Sequence, residues 1–232
     1  MEEKESKRDD RLIGKKEEWA RIGRGLSGRD SSSNGLPRLP PGQKLSKGFP
    51  VLDLGVRPEI DPETWVLSII GLVKNPVVWR WNDFSAQPKV EDVSDFHCVT
   101  TWSTFDNRWE GVPFKKIIET VRPKPEARWL FFTAYDDYTT DLPLSVCNDD
   151  DVMLAWAWNG KPLTREHGGP VRMLVPKRYA WKSAKWIKEI VFAAENRLGF
   201  WEVRGYSDTA DPWKEERYAL TGDDRDLERG DR

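Results

Sequence analysis

Cysteine is scarce in this chain, with two residues, Cys98 and Cys147, among 232. So few exclude a disulfide-stapled scaffold and agree with a reducing compartment. Histidine is equally scarce, also at two. With no paired Cys or His spacing, a tetrahedral zinc site has no ligand set. No apolar run approaches the ~18 residues a membrane span needs. Neither sign of charge dominates: 37 Lys+Arg meet 39 Asp+Glu, a net charge of −2. That balance excludes a broadly basic nucleic-acid binder. The start, Met1-Glu2-Glu3-Lys4, leads into no apolar signal segment, and Arg24 and Arg29 form no twin-arginine pair. A cytoplasmic location is therefore expected.

What the chain does have is tryptophan, 13 residues. Large aromatics carry much buried area each and point to a deeply packed fold. Residues 1–38 are polar and highly charged, too poor in apolar surface to offset ordering entropy, and are expected to be a disordered extension. A short amphipathic helix around Leu12, Ile13, Trp19 and Ile22 is an option within it. Residues 39–213 form the expected domain, and 214–232 a charged tail, mobile or laid over the surface. The fold class expected is α+β, with strands outnumbering short helices. Strands are predicted over Thr64–Leu72, Ala127–Ala134, Val152–Trp158, Lys161–Thr164, Val171–Val175 and Lys185–Phe192, and His97–Trp102 reads as a strand running into a loop. Asn159-Gly160 is the strongest hairpin signal. Helices are expected from Asn82, acting as cap, to Ala86, and over Val112–Val121 with Pro113 in the first turn.

Three stretches can carry chemistry. Cys98 lies in His97-Cys98-Val99-Thr100-Thr101-Trp102-Ser103. It is either a small buried hydrophobe or, beside a positive centre, a ligand or nucleophile. His97 is adjacent and points to the opposite face of a strand, so the pair makes a poor joint site. Cys147, before the acidic Asn148-Asp149-Asp150-Asp151, is expected simply to pack. His167 precedes Gly168-Gly169-Pro170, a loop that lets backbone approach a ligand, or it is a surface histidine. The run Pro176–Trp186 holds four cations, with Arg172 just upstream. It suits a bound phosphate, gripped by arginine and lysine with a serine hydroxyl alongside, or it is a solvated charged strand.

In order along the chain stand Asp61-Pro62-Glu63-Thr64-Trp65, His97-Cys98-Val99-Thr100, Tyr138-Thr139-Thr140-Asp141-Leu142-Pro143, Asn159-Gly160-Lys161-Pro162, His167-Gly168-Gly169-Pro170-Val171-Arg172 and Trp181-Lys182-Ser183-Ala184-Lys185-Trp186. Together these resemble the sulfite oxidase-like, molybdopterin-dependent oxidoreductases, in particular their short prokaryotic cytoplasmic members, over roughly Leu39 to Tyr218. The resemblance implies the sulfite-oxidase catalytic-domain fold, mixed sheets with few short helices. It also implies molybdenum held by the dithiolene of one molybdopterin (Mo-MPT) and by one protein thiolate. Cys98 matches the ligand cysteine, and a soft thiolate suits such a metal. His167 and Arg172 match positions that bind the pterin and its phosphate. Ser183, Ala184 and Lys185 match the loop that closes on the phosphate end. Thr133 matches a pterin contact, and Pro50 and Val51 match a segment that touches the cofactor through backbone. Tyr138 matches an active-site tyrosine, and with Asp106 is a candidate to orient substrate or move protons.

Two departures bear on substrate. Sulfite oxidases carry an arginine shortly after the ligand cysteine, where this chain has Ser103. Leu52 stands near the place of a second, N-terminal arginine. Arg108 and Arg178 are the remaining cations that loops could carry to the metal. Otherwise Trp102, Trp109 and Tyr138 would line a less charged pocket. The resemblance thus implies a two-electron, oxygen-atom-transfer enzyme on a small molecule, an S- or N-oxide rather than sulfite, with an electron-transfer partner of unknown kind. From the residues alone two alternatives stand: a thiol enzyme with Cys98 as nucleophile and His167 as base, or a non-catalytic module that binds a phosphate ligand.

Overall fold

The computed structural model describes residues 36–219. Of the chain's two compact units, the second, from Pro40 onward, is the one set out here. The candidate helix near Leu12–Ile22 and the last residues of the charged tail lie outside the described residues.

In chain order the elements are β1 (Lys44–Leu45), β2 (Val66–Gly71), β3 (Val77–Arg80), α1 (Trp81–Ser85), β4 (Val90–His97), β5 (Trp102–Pro113) and α2 (Phe114–Val121). There follow β6 (Trp129–Ala134), β7 (Thr139–Pro143), α3 (Leu144–Cys147), β8 (Met153–Trp158), β9 (Lys161–Pro162), β10 (Arg172–Leu174) and β11 (Ile187–Ala193). Single 3-10 turns lie at Arg165–His167, Ala180–Lys182 and Glu202–Arg204. The strands fall into two mixed sheets. One has the order β3-β2-β11-β6-β7, with β2 and β11 parallel. The other runs β1-β5-β8-β10, with β4 on β5 and β9 on β8. No helix of the described residues is long and apolar enough to cross a membrane.

Alternation builds the first sheet: Leu67 and Ile69 of β2 are fully buried, while Val66, Ser68 and Ile70 are not. β6 and β11 bring Leu130, Phe132, Ile190 and Phe192 to the same core. α2 presents Phe114, Ile117 and Val121, one helical face, to it. A second cluster, with Phe96, Trp109 and Leu174, lies under the other sheet. Trp65, Trp109 and Trp186 are among the largest fully buried side chains. Each withdraws ~200 Å² from water, a gross ~5 kcal/mol at ~25 cal/mol/Å².

Two expectations change. α1 starts at Trp81 with Arg80 as its cap, because the Asp83 carboxylate accepts the Arg80 N–H at 2.9 Å; Asn82 lies inside the helix rather than capping it. The strand running into a loop, expected over His97–Trp102, differs in extent: only His97 is strand, ending β4, Cys98 to Thr101 form the turn of a long hairpin, and β5 begins at Trp102. At the expected Asn159-Gly160 hairpin both residues take positive φ, 50° and 72°, joining β8 to β9. Arg217, within the segment expected as tail, donates to the Val99 carbonyl and so lies against the domain.

Candidate active site

The β4–β5 turn consists of Cys98 to Thr101. It is closed by Cys98 N–H donating to Trp102 O (2.9 Å) and Thr101 N–H to Cys98 O (3.1 Å), with Thr101 at φ 72°. Buried groups brace it from behind: Gln43 Nε2 donates to Cys98 O (3.2 Å), Ser103 Oγ to Gln43 Oε1 (3.3 Å), and His97 Nδ1 lies 2.8 Å from Ser103 Oγ. His97 is thus committed to the scaffold, and Cys98 faces a cavity of about 290 Å³. The Cys98 side chain is 6% exposed, with Sγ 3.2 Å from Thr100 Oγ1. Burial pushes its thiol up, against the Thr100 hydrogen bond and the charge of Arg217. It becomes a thiolate when something positive joins it.

The cations of the cavity belong to other segments. Arg172 is 4% exposed; its guanidinium donates to His167 O and Ser183 O, both at 3.0 Å, and lies over the Phe96 ring at 5.1 Å. Among the described residues no carboxylate pairs with it, and burial pulls it down to about 9. Lys185 donates to Glu166 O (2.9 Å), with the Asp53 carboxylate 3.8 Å away. Burial first, then the charge of Arg172, pulls Lys185 down to about 8. Gly168 makes this convergence possible. At φ +99°, a Cβ there would sit 2.9 Å from Lys185 Cβ and 3.1 Å from Arg172 Cβ. His167 stacks on Phe49 (4.7 Å), and burial followed by the two cations keeps its ring on the neutral side. Arg172 rests on backbone carbonyls and Lys185 has Asp53 at 3.8 Å, so the pair leaves net positive charge in a poorly solvated place, which is costly and calls for an anion in the cavity. A phosphate supplies one.

Pro50, Val51, Cys98, Tyr138, His167, Arg172, Ser183, Ala184 and Lys185, all expected site residues, line this one cavity. Tyr138 is buried, and its hydroxyl donates to Trp181 O at 2.7 Å. Thr133 and Asp106 are not brought there. Thr133 is held in β6 between Thr139 and Glu189, and the cavity instead receives Asp136 from the turn beyond β6. Asp106 sits at a positive-φ position of β5 (55°), its N–H on Asp95 Oδ1. Trp109, expected in the pocket, is packed behind it against Phe49 and Trp158. Neither remaining arginine lines the cavity: Arg108 pairs with Glu91, and Arg178 donates to Lys177 O. Ser103 is spent on Gln43 and His97. Leu52 does line the cavity. Cys147 is fully buried, and burial raises its thiol further still. Asp53, Asp136, Gln43 and Arg217 carry no motif that names them.

The donor set fits a molybdenum-bearing pterin: one cavity-facing thiol, a buried arginine met by backbone carbonyls, a largely buried lysine with one carboxylate 3.8 Å away, and a glycine-made gap between the two cations. Among the described residues no group of three or more His, Cys, Asp or Glu could hold a bare metal ion, so a metal here would arrive with ligands of its own.

Comparison with known proteins agrees. Residues 54–201 match the family described as oxidoreductase molybdopterin binding domain. The chain is 42% identical over 192 residues to the uncharacterized oxidoreductase YuiH of Bacillus subtilis, covering 82% of this chain and 97% of that one. It is 28% identical over 191 residues to the protein-methionine-sulfoxide reductase catalytic subunit MsrP of Ralstonia nicotianae, covering 71% of this chain and 57% of that one. The crystal structure of the sulfane dehydrogenase SoxCD from Paracoccus pantotrophus shares the fold, with a TM-score of 0.55 at 24% identity over 60% of this chain and 40% of that one. The chain belongs to the oxidoreductase molybdopterin-binding family and is a molybdenum-cofactor-dependent oxidoreductase.

Proposed function

We propose that the chain reduces neutral S- or N-oxides, with Cys98 as the protein ligand of the metal. In this proposal Arg172 and Lys185 hold the phosphate, helped by Ser183 and Ala184, while His167, Pro50 and Val51 contact the pterin. The bound cofactor supplies a two-electron couple at the metal. The balanced reaction is R₂S=O + 2 H⁺ + 2 e⁻ → R₂S + H₂O, the electrons coming from a separate donor.

The observation that carries the choice of substrate is where the cations are. Those lining the cavity are Arg172 and Lys185, gathered around Gly168, while the positions flanking Cys98 are Val99, Thr100 and Trp102. Sulfite needs fixed cations at the metal, and a charged hydrogen bond is worth roughly 1.5–3 kcal/mol. Losing two such arginines, at Ser103 and near Leu52, removes on the order of 10²–10⁴ in specificity at 1.36 kcal/mol per decade. A neutral oxide loses nothing there, and apolar and aromatic walls suit its substituents. Relatives named for methionine sulfoxide reduction support the same choice.

Within the cavity the chain's own groups have distinct tasks. Trp102, Trp181 and Trp201 exclude water. Tyr138, anchored on Trp181 O, holds its proton firmly, because burial and then the Glu202 charge raise it well above the usual phenol range. In this proposal its one O–H turns from Trp181 O to the substrate oxygen and stays on Tyr138 until that oxygen takes the proton. Steady-state assays of cofactor-loaded protein with an artificial electron donor test the proposal. Dialkyl sulfoxides or N-oxides should turn over and sulfite should not. A sulfite kcat/KM above about 10⁵ M⁻¹s⁻¹ contradicts it.

A further inference from the structure

Behind Tyr138 lies a charged cluster that phosphate binding does not use. Lys182 Nζ is 2.7 Å from Glu202 Oε1, 3.1 Å from Asp141 Oδ1 and 3.7 Å from Asp208 Oδ1, and it also donates to Asp141 O at 3.0 Å. The side chains of Lys182, Glu202 and Asp141 are at most 1% exposed, whereas Asp208 is 36% exposed. Three carboxylates therefore face one ammonium in a dry interior. Asp141 Oδ2, Glu202 Oε2 and Asp208 Oδ1 have no hydrogen-bond donor on them. Two uncompensated negative charges there are costly, and one proton relieves both the charge and an orphaned oxygen.

The cluster reaches the cavity through hydroxyls. Thr140 Oγ1 donates to Glu202 Oε1 at 2.9 Å and also lies in hydrogen-bonding reach of the Tyr138 hydroxyl. Two residues apart at the start of β7, Tyr138 and Thr140 share a face. Trp181 Nε1 fixes the same Glu202 oxygen at 3.1 Å. We propose that the Lys182 cluster stores a proton and delivers it through Thr140 to Tyr138 at the cavity wall, refilling from solvent at Asp208. This rests on the oxide-reduction proposal above.

The transfer balances without moving electrons. The Tyr138 O–H bond breaks as an O–H bond forms on the departing oxygen. The Tyr138 and Thr140 hydroxyls, which at rest donate to Trp181 O and Glu202 Oε1, turn for the transfer, and the phenolate takes the Thr140 proton while Thr140 accepts the one that Lys182 passes to Glu202 Oε1. Glu202 receives its proton from Lys182, and Lys182 from the acid shared by Asp141 and Asp208. A water proton at Asp208 then restores the cluster. The charged groups facing this path are Asp141 of β7, Lys182 and Glu202 of their 3-10 turns, Asp208 beyond them, and Asp136 beside Tyr138. Burial first, then Asp208, raises Asp141 to about 8, so it holds a proton at neutral pH.

Infrared titration of the loaded, full-length protein reads the store directly. A carboxylic-acid C=O band should be present at pH 7, fade around pH 8, and be missing from Asp141→Asn. Thr140→Val should lower kcat by about tenfold or more, with KM within about twofold, cofactor content unchanged and a larger solvent isotope effect. Asp208→Asn, at the half-exposed end, should slow turnover likewise and recover when small weak acids are added. Absence of the protonated band, or wild-type kcat and isotope effect in both Thr140→Val and Asp208→Asn, overturns the proposal. If the wild-type protein reduces no oxide, the function proposed above fails instead, and the infrared band alone decides whether the cluster stores a proton.

Discussion

At the scale of single residues, the cavity's electrostatics depend on two cations that burial discourages from being charged. Lys185 falls from 10.5 to about 8, and Arg172 from 12.5 to about 9. An anion beside them favours the charged forms. The affinity for a phosphate-bearing pterin should therefore rise as the phosphate takes its second charge at about pH 6, hold to about pH 8, then fall as Lys185 and next Arg172 lose their protons. Stability of cofactor-free protein runs the other way. Between about 8 and 10.5 the unfolded chain binds the Lys185 proton and the folded one does not, so this residue makes stability rise with pH across that window. Pterin retention against pH, with Lys185→Met beside wild type, checks this. The variant should bind about 10- to 150-fold more weakly and lack the first fall, leaving only the one near pH 9. The cations themselves were legible in the sequence, as a local excess of charge in a balanced chain. That Arg172 is met by backbone carbonyls and Lys185 by Asp53 at 3.8 Å was not, because it depends on how distant segments come together.

At the scale of elements, the turn that carries Gly168 sets how close Arg172 and Lys185 come. A methyl group there meets Lys185 Cβ and Cγ at 2.9 Å, on a backbone with φ +99°. Gly168→Ala should cost roughly 1–2 kcal/mol in backbone strain alone, or about 2–8 °C in Tm for a chain of this size. It should also lose pterin on dialysis, although every charged group remains. Cofactor retention equal to wild type would show that the gap is not what seats the phosphate. Strands rich in β-branched and aromatic residues (β2, β6, β8, β10, β11) and the Asn159-Gly160 turn were readable from pattern. β4 was not. Val90-Glu91-Asp92-Val93-Ser94-Asp95 is mostly polar and carries no strand pattern of its own, and its pairing with β5 makes it a strand. Through that hairpin, the stretch read as a strand running into a loop becomes the turn that presents Cys98.

At the scale of the whole molecule, one cavity draws on the segment around Phe49–Leu54, the β4–β5 turn, the turn after β6, the Arg165–His167 turn and the loop into β11. The motifs and their order could be seen in the sequence through family resemblance. The parts that motifs do not name, Gln43 on the Cys98 carbonyl, Arg217 on that of Val99, and Lys182 on Asp141, join residues 55, 118 and 41 positions apart. No local pattern encodes such pairs. The central claim is that Cys98 joins the metal in this cavity while the cation pair holds the rest of the cofactor. X-ray absorption at the molybdenum edge of protein loaded in a molybdopterin-competent host tests it most directly, with Cys98→Ser and Cys147→Ala compared to wild type. The account predicts that Cys98→Ser loses one sulfur from the metal's coordination shell while the pterin stays bound, and that Cys147→Ala keeps the wild-type shell. An unchanged sulfur shell in Cys98→Ser, or a sulfur lost in Cys147→Ala, would contradict it.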